Sequence, residues 1–211
     1  MKRIIALILA VMALLTFTAC GSNDADNTGA DDKNKPAESV YVDSLAVLSA
    51  IWNTYAEDDK IPTLGGNRDA MVENAPGAFD LTASEELTSS LLLPAENIPE
   101  LSSAASLIHM MNANTFTSAV FQTDGDLDAL SQTLIDAANS RQFLCGIPEM
   151  IVTLKVENYV IMAFGNNELI ETFKNHALDI EGITLIHEGP ITFTGGSDAV
   201  GGFGGIAIPI G

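Results

Sequence analysis

The chain has 211 residues and is strongly acidic, with 28 Asp and Glu against nine Lys and Arg and a net charge of −19. Its length suits one domain with a hydrophobic core of its own. The negative charge repels phosphate backbones and anionic lipid headgroups, which argues against nucleic acid as a partner and against a folded body lying on a membrane surface. Basic peptides and divalent cations stay compatible with such a surface.

Residues 1–19 have the pattern of a secretory signal. Lys2 and Arg3 form a basic start, and residues 4–15 are an apolar run too short for a membrane span of about 20 residues. Small residues then lead to Cys20, and this order is typical of a cleaved signal. A cysteine at this place resembles the cleavage site of bacterial lipoproteins, in which the thiol carries a diacylglyceryl group and becomes the first residue.

This resemblance implies that lipid on Cys20 holds the protein at the outer face of the cell membrane. Two acyl chains anchor a protein stably, because each buried methylene contributes about 0.8 kcal/mol. Loss of Lys2 and Arg3 with the signal would take the net charge from −19 to −21. Residues 20–38 follow the signal, and their Asp, Asn and Gly content without apolar periodicity predicts a disordered acidic linker.

A helix is predicted next, from about residue 45 to Asp58. Its apolar residues recur at spacings of three and four and form one stripe: Leu45, Leu48, Trp52 and Tyr55. Residues 61–79 contain the pairs Gly65-Gly66 and Pro76-Gly77, which predict a loop.

The following segment contains a second predicted helix and an ambiguous stretch. Thr82 and Glu85 have the spacing of a capping box, which predicts a short helix ending near Leu92. Residues 103–111 fit a strand or a helix equally well. We expect a partner-binding groove around residues 61–79 and 94–112.

From residue 116 onward the predicted order is strand, helix, strand, strand, helix, strand. The strands are 116–122, 150–156, 159–164 and 183–188, and the helices span about 127–138 and 166–177. This order is that of ferredoxin-like folds, in which both helices lie on one face of the sheet. The predicted fold class is therefore α+β, a ferredoxin-like βαββαβ antiparallel sheet preceded by N-terminal helices, in a single domain over residues 39–188. Residues 189–211 are predicted to be a Gly-rich flexible tail.

The strand at 159–164 is continuously apolar, although strands with one wet face alternate. Both of its faces must therefore be covered, and the helices containing Leu130 and Phe173 are expected to cover one of them. The N-terminal helix with Trp52, or a second copy of the chain, must cover the other, and the helix is favoured because its apolar stripe needs a partner.

Cys145 is the only cysteine left once Cys20 carries lipid, so no disulfide framework is expected. With one of the three histidines, His109, His176 or His187, it would be a candidate nucleophile. No local nucleophile signature surrounds it, and its neighbours favour a buried structural thiol.

Three acids, Asp124, Asp126 and Asp128, resemble the start of a calcium loop. The sixth and twelfth places of that loop need Gly and Glu, but here they hold Ala129 and Ile135. Acids at a helix N-terminus, where they satisfy free N–H groups, are the favoured interpretation.

Two further polar clusters are weighed in the same way. The run Glu57-Asp58-Asp59 predicts a solvated acidic segment, with a helix that ends earlier or a bound cation as the alternatives. His109 with Met110 and Met111 could suggest soft-metal ligands, but their apolar surroundings favour core packing.

Three segments carry a resemblance to a known family: HMMNANTFTSAVF (109–121), RQFLCGIPE (141–149) and ENYVIMAFG (157–165). They resemble small uncharacterised lipoproteins of Gram-positive bacteria, over about residues 40–188. The resemblance implies a lipidated cysteine, an acidic linker, an N-terminal helix and a βαββαβ body. Related chains are labelled accessory proteins of bacteriocin transport. The family has no established catalytic residues to carry over.

The sequence thus predicts a membrane-anchored extracytoplasmic lipoprotein, lipidated at Cys20. It would act as a non-catalytic binding or accessory module of the cell envelope, with a protein or peptide partner, no nucleic acid, no cofactor and no metal. One alternative is a cysteine-dependent enzyme that uses Cys145 with a histidine. The other is an acidic cation-binding module.

Overall fold

A computed structural model describes residues 39–192 of the chain. The predicted signal peptide (1–19), the predicted lipidation site Cys20, the predicted linker to residue 38 and the predicted tail beyond Thr192 lie outside the described residues. No helix within residues 39–192 is long and apolar enough to cross a membrane.

The described range contains four α-helices and eight β-strands. The helices are α1 (Ser44–Trp52), α2 (Ser84–Leu91), α3 (Leu127–Ser140) and α4 (Asn167–Leu178). The strands are β1 (Thr63–Gly65), β2 (Val72–Glu73), β3 (Gly77–Phe79), β4 (Leu101–His109), β5 (Phe116–Thr123), β6 (Met150–Val156), β7 (Tyr159–Gly165) and β8 (Thr184–Pro190).

All eight strands belong to one antiparallel sheet in the order β2-β1-β4-β5-β7-β6-β8, and β3 pairs with β4. This confirms the predicted α+β class with an antiparallel sheet. The stretch 103–111, ambiguous in sequence, is mostly strand β4, and β4 lies beside β5 in the middle of the sheet.

The ferredoxin-like order is not confirmed. In that fold the last strand would lie beside β5, but here β8 pairs with β6 at the far edge and β4 lies beside β5. The expectation that α3 and α4 lie on one face is also wrong. Two connections cross the sheet in the same direction, β5-α3-β6 and β7-α4-β8, but they start from strands that are antiparallel to each other. Right-handed connections of this kind place the two helices on opposite faces of the sheet.

The hydrophobic core accordingly has two parts, one on each face of the sheet. Helices α1 and α4 cover one face and α2 and α3 cover the other. Strand β7 contributes alternate residues to both parts: Tyr159, Ile161 and Ala163 face α1 and α4, and Val160, Met162 and Phe164 face α2 and α3. The prediction that both faces of this strand are covered is confirmed, with α1 on one of them.

The N-terminal elements differ from their predicted bounds. Helix α1 is capped by Asp43, whose Oδ1 accepts from the Ala46 amide at 2.8 Å, and it ends at Trp52 rather than Asp58. The acidic run forms a separate 3-10 turn, Glu57–Asp59. The three acids therefore lie in the first turn of this 3-10 helix, where the helix dipole favours negative charge, and not at the end of α1.

The segment 61–79, predicted as a loop, contains β1, β2 and β3. A Cβ on Gly65 would lie 2.1 Å from the Gly77 amide nitrogen. The glycines are therefore needed for close approach of two backbone segments, and the prediction that residues 61–79 form only a loop was wrong.

Two other local predictions are corrected. Thr82 does not cap α2, because its amide and hydroxyl donate to Asp80 Oδ1 instead, and the residue before the helix is Ala83. Strand β8 continues to Pro190, and the next residue, Ile191, is buried in the core on the α2 and α3 face. The single domain therefore extends past residue 188 into the predicted tail.

Candidate binding cleft

A cleft of about 290 Å³ opens where β4 turns into β5. Its lining comes from β1 and the residues after it, from α2, from the turn 108–114 and from the chain just after α3. The cleft thus involves both segments, 61–79 and 94–112, for which the sequence predicted a groove. Its inner apolar side chains, Ile108, Phe143 and Phe164, belong to the core under α2 and α3, so the cleft does not adjoin the core that α1 covers.

Three methionines at the cleft are exposed to solvent. The side chains of Met71, Met110 and Met111 are 50%, 40% and 83% exposed. The predicted core packing of Met110 and Met111 was wrong, because the turn after β4 carries both side chains out of the sheet. Clusters of exposed apolar side chains rimmed by polar residues mark interaction surfaces.

His109 shapes the turn at the cleft. Its Nδ1 accepts hydrogen bonds from the amides of Met111 and Asn112 at 3.2 and 3.4 Å. These bonds place the proton of the neutral ring on Nε2. The histidine therefore holds the backbone that presents the two methionines.

The loop 141–149 is fastened to the same turn. The carboxamide nitrogens of Asn112 and Asn114 donate to the carbonyls of Cys145 and Gly146 at 2.9 and 2.8 Å. This loop adds two more exposed apolar residues, Leu144 and Ile147, to this end of the molecule.

Cys145 is exposed, which corrects the prediction of a buried thiol. The structure does not bring a histidine into a hydrogen bond with it among the described residues. His176 stacks on Tyr55 with ring centroids 3.7 Å apart and bonds Thr54 Oγ1 at 2.8 Å, and His187 lies on the edge strand β8. The nucleophile hypothesis therefore gains no base from this arrangement.

The acidic cluster before α3 acts as a helix cap, as predicted. Asp126 Oδ1 accepts from the amides of Asp128 and Ala129 at 2.9 and 3.1 Å. Asp128 pairs with Lys155 at 2.7 Å. Across residues 39–192, no three acidic, histidine or cysteine side chains converge in a way that could hold a metal ion.

The basic residues of the described range divide into two groups. Each lysine pairs with an acid: Lys60 with Glu57, Lys155 with Asp128 and Lys174 with Glu188, at 2.6 to 2.7 Å. Both arginines, Arg68 and Arg141, line the cleft, and neither forms an ion pair within residues 39–192.

The two arginines differ in their surroundings. The Arg141 guanidinium is half-buried and lies 5.6 Å from the centroid of the Phe143 ring, and burial lowers its pKa below the usual range. Arg68 is exposed, and its backbone amide donates to Glu86 Oε1 at 2.6 Å. A more open groove over the first turn of α2 shares Arg68 and Glu86 with the cleft, and Glu85 adds a second carboxylate to the lining of that groove.

No protein-family model, curated protein or solved structure matches this chain. The cleft is therefore the feature from which a function has to be inferred. Sequence reasoning identified its segments but missed Arg68 and Arg141. The available signal was their rarity, since Arg3 is the only other arginine in the acidic chain.

Proposed function

We propose that this protein is a lipid-anchored binding module on the outer face of the cell membrane. Lipid on Cys20 would tether it, and the cleft would hold a protein or peptide partner without catalysing a reaction. The observation that carries the proposal is the cleft itself, with exposed methionines at its rim and two arginines in its lining that form no ion pair within residues 39–192. Membership of the Gram-positive lipoprotein family belongs to the same proposal.

The N-terminal sequence supports the anchor. A basic start, a short apolar run and small residues before Cys20 fit a lipoprotein signal. Residues 21–38, which composition predicts to be a linker, would separate the acidic body from anionic headgroups.

The chemistry of the cleft supports binding over catalysis. Among the described residues, the cleft has one histidine, His109, and its Nδ1 accepts from two backbone amides. The Glu86 carboxylate in the same lining accepts from the Arg68 amide. A general base needs a free lone pair within reach of a reacting proton. Methionine-rich surfaces, in contrast, are typical of adaptable binding sites.

The proposal is tested by site-specific photocrosslinking in the native host. A crosslinking side chain at Met111 is expected to capture one discrete partner. The matched control carries it at Leu185, which is 43% exposed but lies on β8 at the far edge of the sheet. Equal capture at both positions, or none at Met111, would refute the cleft as the binding surface.

The anchor has its own test by cell fractionation. The Cys20→Ser protein is expected in the soluble extracytoplasmic fraction, since lipid is the proposed tether. Its persistence in salt-washed membranes would show that something other than this lipid holds the protein.

A further inference from the structure

We infer that the cleft recognises a carboxylate attached to an apolar group, namely the C-terminal residue of a peptide. The inference rests on the proposed binding function and specifies its ligand. It follows from three properties of the cleft: unpaired cations, exposed methionines and small size.

The cations provide the first step. The chain has 28 acidic residues, and Glu86 lies in the same lining, where its carboxylate accepts from the Arg68 backbone amide. Even so, neither the Arg68 nor the Arg141 guanidinium forms an ion pair within residues 39–192. A half-buried charge without a partner is unfavourable for folding. A guanidinium presents paired N–H donors that match the two oxygens of a carboxylate. The anion missing from the folded domain is the group that a ligand would supply.

Helix electrostatics account for only part of this arrangement. Arg141 follows the last residue of α3, where a cation is favoured by about 0.3 to 1 kcal/mol. Arg68 has no such role, because it begins the short 3-10 turn Arg68–Ala70. The meeting of both arginines in one cleft therefore needs a further reason.

The apolar rim provides the second step. Met71, Met110 and Met111 are unbranched and flexible, so they adapt to apolar groups of different shapes. Phe143 and Phe164 lie deeper in the lining. A ligand that used the arginines alone, such as inorganic phosphate, would leave this surface exposed.

The size of the cleft decides between the remaining ligands. A volume of about 290 Å³ lies at the lower limit of clefts that hold small molecules. It suits one or two amino-acid residues and is too small to enclose a long acyl chain. Ser90 and Asn114 add polar groups to the lining that can bond to a peptide main chain.

The test uses full-length protein in mild detergent and two fluorescein-labelled tripeptides of alanine, leucine and phenylalanine. One has a free C-terminal carboxylate and the other a C-terminal amide. In fluorescence polarisation, the free acid is expected to bind at least about tenfold more tightly, since hydrogen bonds between charged groups contribute about 1.5–3 kcal/mol. Arg68→Gln and Arg141→Gln should each remove most of this preference, so that the affinity for the free acid falls towards the affinity for the amide.

Lys155→Gln serves as the matched control, because it also removes one positive charge. Lys155 lies near the C-terminal end of β6 and does not line the cleft. This variant should keep the preference for the free acid. Equal binding of acid and amide, with both abolished by Met111→Glu, would overturn the carboxylate inference and leave the proposed binding function standing. Failure of both peptides to bind would overturn the inference alone if a crosslinker at Met111 still captures a partner, and both proposals if it does not.

Competition experiments distinguish the peptide from other ligands that could occupy the cleft. Displacement of the free-acid peptide by palmitate or by inorganic phosphate at lower concentration than by unlabelled peptide would overturn the inference in favour of that ligand. Binding that appears only after deletion of residues 193–211 would identify the chain's own tail as the occupant and would also overturn it.

Discussion

The central strand β7 and the rim of the cleft differ in how far their side chains are buried. Every residue of β7 is buried, and each side chain packs against helices on one face or the other. At the rim, Met111 is 83% exposed and the nearby arginines lack acidic partners among the described residues. Burial explains the choice of residues in β7, but folding gives no reason for those at the rim. Substitutions should therefore separate stability from binding.

The largest effect on stability is expected in the core. Phe173 of α4 is fully buried and packs edge to face on Phe116, with ring centroids 5.7 Å apart. Phe173→Ala should lower the free energy of unfolding by about 3–5 kcal/mol through lost burial and a cavity. Urea denaturation measures this, and a loss below about 1 kcal/mol would contradict the packing described for α4.

A smaller loss is expected where the core meets the cleft. In Gly65→Ala the new Cβ would meet the Gly77 backbone at 2.1 Å, so β1 and β3 must move apart. Overpacking of this kind costs about 1–3 kcal/mol. Because Leu64 and Gly66 line the cleft, peptide binding should weaken together with thermal stability. Full retention of both would show that this close approach is not needed.

The cap of α3 should contribute less again. Asp126→Ala removes the oxygen that accepts from two amides and should cost about 1 kcal/mol. Binding should not change, since α3 begins away from the cleft residues. Calcium offers an independent check, and a rise in melting temperature with calcium that depends on Asp126 would revive the cation-site alternative.

A pH-dependent contribution is expected at the β6-β7 turn. Hydrogen bonds from the Ser39 hydroxyl and the Val40 amide hold the pKa of Glu157 below its ordinary value. A lowered native pKa means that the stabilisation is present above the unfolded pKa and is lost as the pH falls through the native value. Unfolding curves between neutral pH and pH 3 should therefore show a smaller acid loss for Glu157→Gln than for the native chain.

The smallest effect on stability is expected at the rim. Met111→Ser and Cys145→Ser should each change the free energy of unfolding by less than about 0.5 kcal/mol, because both side chains are exposed. A maleimide should label Cys145 readily in the native protein. Resistance to labelling would contradict the exposed loop 141–149.

These contrasts also show what the sequence could predict. Helices α3 and α4 and strand β6 have strong periodicity, and β5 and β7 are short apolar runs, so the positions of these five elements were predicted closely. The position of β8 was not, because hydrophobic patterns do not specify the edge at which a strand joins a sheet. The predicted end of β8, at residue 188, was also two residues too early, because Gly189 and Pro190 are typical of strand ends.

The cleft shows the same limit. Its segments were predicted, but not its arginines, because isolated charged residues have no periodicity. Local composition also misplaced Cys145 and Met111 in the core, where neighbouring apolar residues suggested burial. Their exposure depends on a turn whose shape is set by hydrogen bonds that His109 accepts and that Asn112 and Asn114 donate. These bonds pair residues in ways no local pattern encodes.

The location of binding is the central claim, and backbone amide chemical shifts test it most directly. The isotope-labelled full-length protein would be titrated with the free-acid tripeptide. We predict that the largest shift changes fall in residues 64–71, 108–114 and 141–143, which line the cleft. Residues 184–190 of the far edge strand should stay unchanged. Changes centred on β8 or on the α1 and α4 face, or no saturable change anywhere, would contradict the assignment of this cleft as the binding site.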